Sequence, residues 1–246
     1  MSTVTSRLLQ VERSRTCIHV RLARPDHYNA LDGALLTCLH AFLTKQVEPL
    51  PLILEGDPDF FSVGVDITEM AHVDATQAAR YSHLGHEVVA ALEHWPAVTT
   101  AFVSGYVLGA GLELVLGCDV IAGSATFRAG LPGLAWAMVP CLGGLRRLAC
   151  RTSETFSADL FLTGDMVDAQ QALKAGLIDR IVHHDLEVVA MAAEMGDFSP
   201  GAVQAIRSLR LEAQGPIDAD LDSRMFARPF ATGECQRRLR QLLDNG

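Results

Sequence analysis

The stretch GYVLGAGLELVLGCDVI, residues 105–121, decides how the chain is read. A short apolar run enters a Gly-Ala-Gly turn, continues as a leucine-rich helical pattern, and leaves through Asp119 into a second apolar run. Strand, glycine turn, helix and strand in that order belong to an α/β chain. Within the helical part Glu113 is the single carboxylate, set among leucines, valines and glycines. A charged group in such company is costly unless it is paired, hydrogen-bonded or kept protonated. It is therefore either a structural acid with a hidden partner or an acid whose strained ionisation is its function.

The same rhythm extends to both sides. TCIHVRL (16–22) alternates Ile18, Val20 and Leu22 with polar residues, as a half-buried strand does, and RPDHYNALD (24–32) breaks it. GALLTCLHAFLTKQ (33–46) carries helical spacing, LPLILEG (50–56) reads as a buried strand, and 74–94 reads as a helix stopped before Pro96. AVTTAFVSG (97–105) predicts another strand, while CDVIAGS (118–124) and ATFRAG (125–130) predict short strands around a turn. In DAQQALKAG (168–176), Asp168 suits the N-cap, Gln171 the capping-box position and Gly176 the left-handed stop, and the strand LIDRIV follows. From about 185 onward the pattern is helical, with a break at EAQGPID (212–218).

A chain of 246 residues is long enough to bury one large core without staples. Its net charge of −9 and the absence of a basic stripe argue against nucleic acid as a partner. No apolar run is long enough to span a bilayer, and the first residues lack a signal-peptide core. Cys17, Cys38, Cys118, Cys141, Cys150 and Cys235 form no CxxC pair, which points to reduced thiols in a cytoplasmic protein without a metal site.

Two glycine turns stand out. FFSVGVDITEM (60–70) runs through Gly64 towards a helix near Asp66, and Gly109 and Gly111 flank Ala110 directly before a second helix. Early helical N–H groups lack internal partners, so two such turns face to face would offer two peptide donors to one oxygen. Tight turns packed only for geometry would leave the same signature.

RPDHYNAL, FFSVGVDITEM, GYVLGAGLELVLGCDVI and LTGDMVDAQQALKAGLIDRIV (162–182) together resemble the enoyl-CoA hydratase/isomerase family, the crotonase superfamily. The resemblance implies an α/β spiral of ββα units over 1–184, with a C-terminal helical region over 185–246 that serves as trimerisation element or lid. It also implies homotrimers or dimers of trimers, and an acyl thioester of coenzyme A or of a carrier as substrate, with no further cofactor. The activity implied is that of an enoyl-CoA hydratase or isomerase, a lyase in fatty-acid metabolism, with a divergent decarboxylase or lyase of secondary metabolism, or a non-catalytic acyl-CoA-binding protein, as alternatives.

Carried onto this sequence, the oxyanion-hole donors would be the N–H groups of Val65 and Ala110, the latter provided its φ is negative. Val63 and the run Val65, Asp66, Ile67 and Thr68 would line the coenzyme A groove, with Asp66 acting as an N-cap behind Val65. Phe230 and Arg237 are the tail residues that would meet adenine and phosphates. Glu113 falls at one of the two catalytic glutamates of hydratases. The second position falls on Gly133 in GLPGLAWAMVPCLGG (130–144), and no carboxylate stands between Asp119 and Glu154 to replace it. Tyr81, His83 and His86 in RYSHLGHE (80–87) are the auxiliary candidates, and Trp136, Phe60 and Phe61 are expected to crowd the acyl pocket.

Overall fold

The computed structural model describes residues 2–5, 7–45, 49–215 and 218–245. In chain order its strands are Ser2–Thr5 (β1), Leu9–Arg13 (β2), Ile18–Leu22 (β3), Leu52–Glu55 (β4), Phe60–Ser62 (β5), Thr99–Val103 (β6), Tyr106–Leu108 (β7), Val120–Ser124 (β8), Arg128–Gly130 (β9), Val167–Asp168 (β10) and Arg180–Val182 (β11). The helices are Gly33–Lys45 (α1), Ile67–Met70 (α2), Ala75–Glu93 (α3), Ala110–Val115 (α4), Gly144–Arg151 (α5), Glu154–Thr163 (α6), Ala169–Ala175 (α7), Asp185–Met195 (α8), Pro200–Gln214 (α9), Ala219–Ala231 (α10) and Glu234–Asn245 (α11).

Two sheets result, ordered β1-β2-β3-β4-β6-β8-β11 and β10-β9-β7-β5. From β3 to β11 the larger sheet is parallel, and only β1 and β2 join it antiparallel. Three times in succession the chain places one strand in the larger sheet, the next in the smaller, and then returns through helix: β4–β5, β6–β7 and β8–β9. That is the expected ββα spiral. CDVIAGS and ATFRAG do form adjacent strands, but the turn between them carries the chain from one sheet to the other.

Burial explains the layering. Ile18, Val20 and Leu22 are fully buried, each worth about 1.5–3 kcal/mol. β4 and β6 are buried along their whole length, as central parallel strands covered on both faces must be. The helix expected over 74–94 spans Ala75–Glu93 behind an Asp74–Gln77 capping box. The Asp168–Gln171 box and the left-handed Gly176 stand as the sequence indicates. The strand Leu9–Arg13 was not anticipated, although its burial alternates. Gln46 and residues 216–217 of the expected break lie outside the described residues, with α9 ending before Gly215 and α10 starting after Asp218.

The C-terminal helices pack on the core. Helix α10 lies along α3, and α11 meets α2. Arg207 of α9, itself buried, donates from Nε to Asp119 at 2.7 Å and from its terminal nitrogens to the carbonyls of Trp95 and Ala97. No helix among the described residues is long and apolar enough to cross a membrane.

Candidate active site

The two glycine turns meet. Gly64 has φ +95°, and a Cβ there would fall 2.8 Å from the carbonyl oxygen of Leu108 and 3.3 Å from the Ala110 nitrogen. Only glycine permits that approach. Leu31 pins the first turn on both sides, donating to Gly64 O at 2.7 Å and accepting from Asp66 N at 3.2 Å. In an extended segment alternate N–H groups point to opposite sides, so the N–H of Val65 faces away from Leu31. In the second turn Gly109 N is held by Gly130 O and Gly109 O accepts from Glu113 N, which leaves Ala110 as the first residue of α4. Its φ is negative, as the donor role requires. No partner among the described residues takes the N–H of Val65 or of Ala110.

Both residues line one cavity of about 670 Å³. Val63, Ile67, Glu113, Gly133 and Trp136 line it too, so the structure gathers most of the expected site. Glu113 is 2% exposed. One carboxyl oxygen, Oε1, accepts from Cys141 N at 3.0 Å, and Oε2 accepts from Leu142 N and Gly144 N, each at 2.8 Å. Burial pushes this carboxyl above its ordinary range, and the three N–H bonds and the Arg147 charge pull it part of the way back. Arg147 also fixes the loop that supplies those donors, with one nitrogen on Leu142 O at 2.8 Å and a two-pronged pair to Glu93 at 2.7 and 2.9 Å. A carboxylate offers about four acceptor positions, and the fourth meets only the weak S–H of Cys141 at 3.9 Å.

Other candidates stand elsewhere. Asp66 is buried as the N-cap of α2, bonded to Thr68 N and Glu69 N and paired with Arg24 at 3.0 Å. Burial works against its charge, yet the bonds from Thr68 and Arg24 outweigh it and hold the carboxyl below its ordinary value. Thr68 is exposed and outside the cavity. The Tyr81 hydroxyl is buried and donates to Leu31 O at 2.7 Å, a structural bond behind the Val65 turn. His83 is exposed, 3.5 Å from Asp220. His86 is buried behind the cavity wall, its Nε2 3.5 Å from an oxygen of Asp222. Phe60 packs on Tyr28 and Phe61 is buried in the core, so neither crowds the pocket. Phe230 is buried against Phe226 rather than lining the cavity. Arg237 lines a separate, more open depression with His72, Asp74 and Arg240.

Sequence reasoning missed two features. The Cys141–Gly144 backbone that wraps Glu113 left a trace only in Gly144, where a Cβ would lie 2.2 Å from Glu113 Cγ. Asp222, from α10, lines the cavity and is the second carboxyl there. Only the helical spacing of Leu221, Asp222, Met225 and Phe226 could have pointed to a shared face.

A family model described as Enoyl-CoA hydratase/isomerase matches residues 12–243. The 2,3-dehydroadipyl-CoA hydratase of Escherichia coli is 32% identical over 212 residues, covering 84% of this chain and 82% of that protein. A probable enoyl-CoA hydratase of Rhizobium meliloti is 32% identical over 87% of this chain and 86% of its own length. Among solved structures, an enoyl-CoA hydratase/isomerase from Mycobacterium paratuberculosis superposes with a TM-score of 0.87 at 21% identity, covering 96% of this chain and 98% of that one. Pseudomonas aeruginosa DspI superposes with a TM-score of 0.80 at 26% identity, covering 98% and 97%.

Proposed function

Since the chain belongs to the enoyl-CoA hydratase/isomerase family, we propose that it hydrates an enoyl thioester of coenzyme A in the Glu113 cavity, or runs the reverse dehydration. One observation carries the reading: Val65, Ala110 and Glu113 line one cavity, and among the described residues the N–H groups of Val65 and Ala110 have no partner. The thioester oxygen accepts from the two peptide groups. Each such donor is worth about 10²–10³ in rate, because the negative charge reaches that oxygen only as the reaction proceeds. Three N–H bonds favour the charged form of Glu113, which takes a proton from a water entering the cavity. The water oxygen bonds to the β carbon, the double-bond pair moves towards the thioester, and the enolate takes a proton at the α carbon from solvent, to which Glu113 returns the proton it accepted. Trp136, Val63 and Ile67 supply apolar walls. The proposed assembly is a trimer or a dimer of trimers.

Steady-state hydration of crotonyl-CoA tests this. Wild-type protein turns over, and Glu113→Gln loses about 10²–10⁴ in kcat. Thioester binding retained by the variant separates lost chemistry from lost folding. Tight coenzyme A binding without turnover in hydration, isomerisation or decarboxylation would overturn the enzyme reading in favour of a binding protein.

Gly133 favours a second reading. It lines the cavity where hydratases resembling this chain carry an acid, and it brings none. Enolate formation by loss of CO2 needs the two N–H donors but not a second glutamate. Decarboxylation of malonyl-CoA faster than hydration of crotonyl-CoA would select this alternative.

A further inference from the structure

The geometry points to Asp222, positioned by His86, as a second proton-transfer group of this cavity, standing in for the carboxyl that Gly133 lacks. The inference rests on the hydration reading. Helix α10 presents Leu221, Asp222, Met225 and Phe226 to the cavity, and Glu113 and Asp222 are its only carboxyls among the described lining residues. Among the described residues neither lysine, arginine nor histidine lines it. Cys141 sits within electrostatic reach of both acids, its thiol pushed up first by burial and then by the charges of Glu113 and Asp222.

The placement of Asp222 is built rather than incidental. Its neighbour Ser223 is buried and donates to Ser82 of α3 at 3.1 Å, and Ser82 in turn donates to Cys141 O at 2.6 Å. One chain of bonds therefore ties α10, α3 and the loop that holds Glu113. On α3, one turn beyond Ser82, His86 is 6% exposed, and its Nε2 has no hydrogen-bond partner. That nitrogen faces Asp222 Oδ2 at 3.5 Å. Burial, Arg147 and His83 keep the ring neutral. Burial also raises the carboxyl of Asp222, Arg147 and Arg146 draw it back, and Asp218 adds to the rise. In its protonated form, which burial favours, Asp222 supplies what the hydration lacks. As Glu113 takes one proton from water and the oxygen bonds to the β carbon, Asp222 gives its proton to the α carbon. The enolate pair forms the new C–H bond. The spare proton on Glu113 returns to Asp222 through solvent, and both carboxyls are restored.

Asp222→Asn, Asp222→Glu, His86→Gln and Glu113→Gln, assayed with crotonyl-CoA, test the assignment. Coenzyme A binding, read by tryptophan fluorescence, checks that each variant folds. Asp222→Asn lowers kcat by about 10²–10³ with KM little changed, and Asp222→Glu recovers at least about tenfold of that loss. His86→Gln lowers kcat about tenfold without a change in KM. An Asp222→Asn protein with wild-type kcat beside an inactive Glu113→Gln overturns the assignment and leaves the hydratase reading standing. A wild-type protein that hydrates nothing overturns both.

Discussion

Glu113 answers its own puzzle without a cation: among the described residues three backbone N–H groups satisfy it and no basic side chain pairs with it. Backbone donors carry no sequence signature, which is why the acid was legible in the sequence and its partners were not. The arrangement makes the site sensitive to an isosteric change. Glu113→Gln turns a carboxyl oxygen into an amide NH2 that must face a peptide donor, so urea denaturation should read a loss of about 1–3 kcal/mol. Gly144→Ala drives a methyl group into Glu113 Cγ, at 2.2 Å, and should cost about 1–3 kcal/mol of stability and displace the carboxyl, with kcat falling more than KM rises. His86 gives a pH signature. Its pKa is lowered from 6.5 to about 4, by burial first and then by Arg147 and His83, with Asp222 facing it. Between those two values the unfolded chain binds the proton and the folded chain does not, so stability rises with pH. The contribution is full above 6.5 and falls by about 3 kcal/mol as pH drops towards 4. Urea midpoints measured from pH 4 to 7 should show that slope in the difference between the wild type and His86→Gln, because the raised carboxyls of Glu113 and Asp222 contribute the opposite sign to both.

Elements were legible where their ends are chemically marked. Asp168, Gln171 and Gly176 bound α7 through local hydrogen bonds, and Asp66 caps α2 in the same way, so a few adjacent residues decide each boundary. What local chemistry does not encode is the neighbour an element meets. The strands 120–124 and 128–130 are adjacent in the chain yet belong to different sheets, and that separation is settled by which parallel partner each finds. Helix α10 is the sharper case. Its amphipathic pattern announces a buried face, and nothing local says that this face closes the cavity holding Glu113. Ser82 is the residue that fixes the contact, bonded to Ser223 on one side and Cys141 O on the other. Ser82→Ala should therefore cost about 1–2 kcal/mol. Hydrogen exchange should accelerate in both α10 and the 141–144 loop, whereas a defect local to α3 would leave α10 protected.

At the scale of the molecule, the spiral core and the C-terminal helices share buried charge, which decides how the protein comes apart. Arg207 of α9 is 5% exposed and joins Asp119, at the entry to β8, to the carbonyls of Trp95 and Ala97 at the entry to β6. Asp119 in turn accepts from Thr99 N at 2.8 Å, so one guanidinium orients the starts of two central strands. If the tail were an appendage, Arg207→Met would loosen α9 and leave the core intact. The geometry requires the opposite outcome. Removing the cation strands a largely buried carboxylate and unpaired carbonyls inside the sheet edge, a loss of about 3–5 kcal/mol. In a Trp136→Phe background the variant should unfold in a single urea transition at a lower midpoint, with tryptophan fluorescence and circular dichroism coinciding, because Trp95 then reports the core and the helical signal includes the tail. Two separated transitions, the first silent in fluorescence, would show that the tail folds on its own and that Asp222 reaches the cavity only as a loosely attached wall.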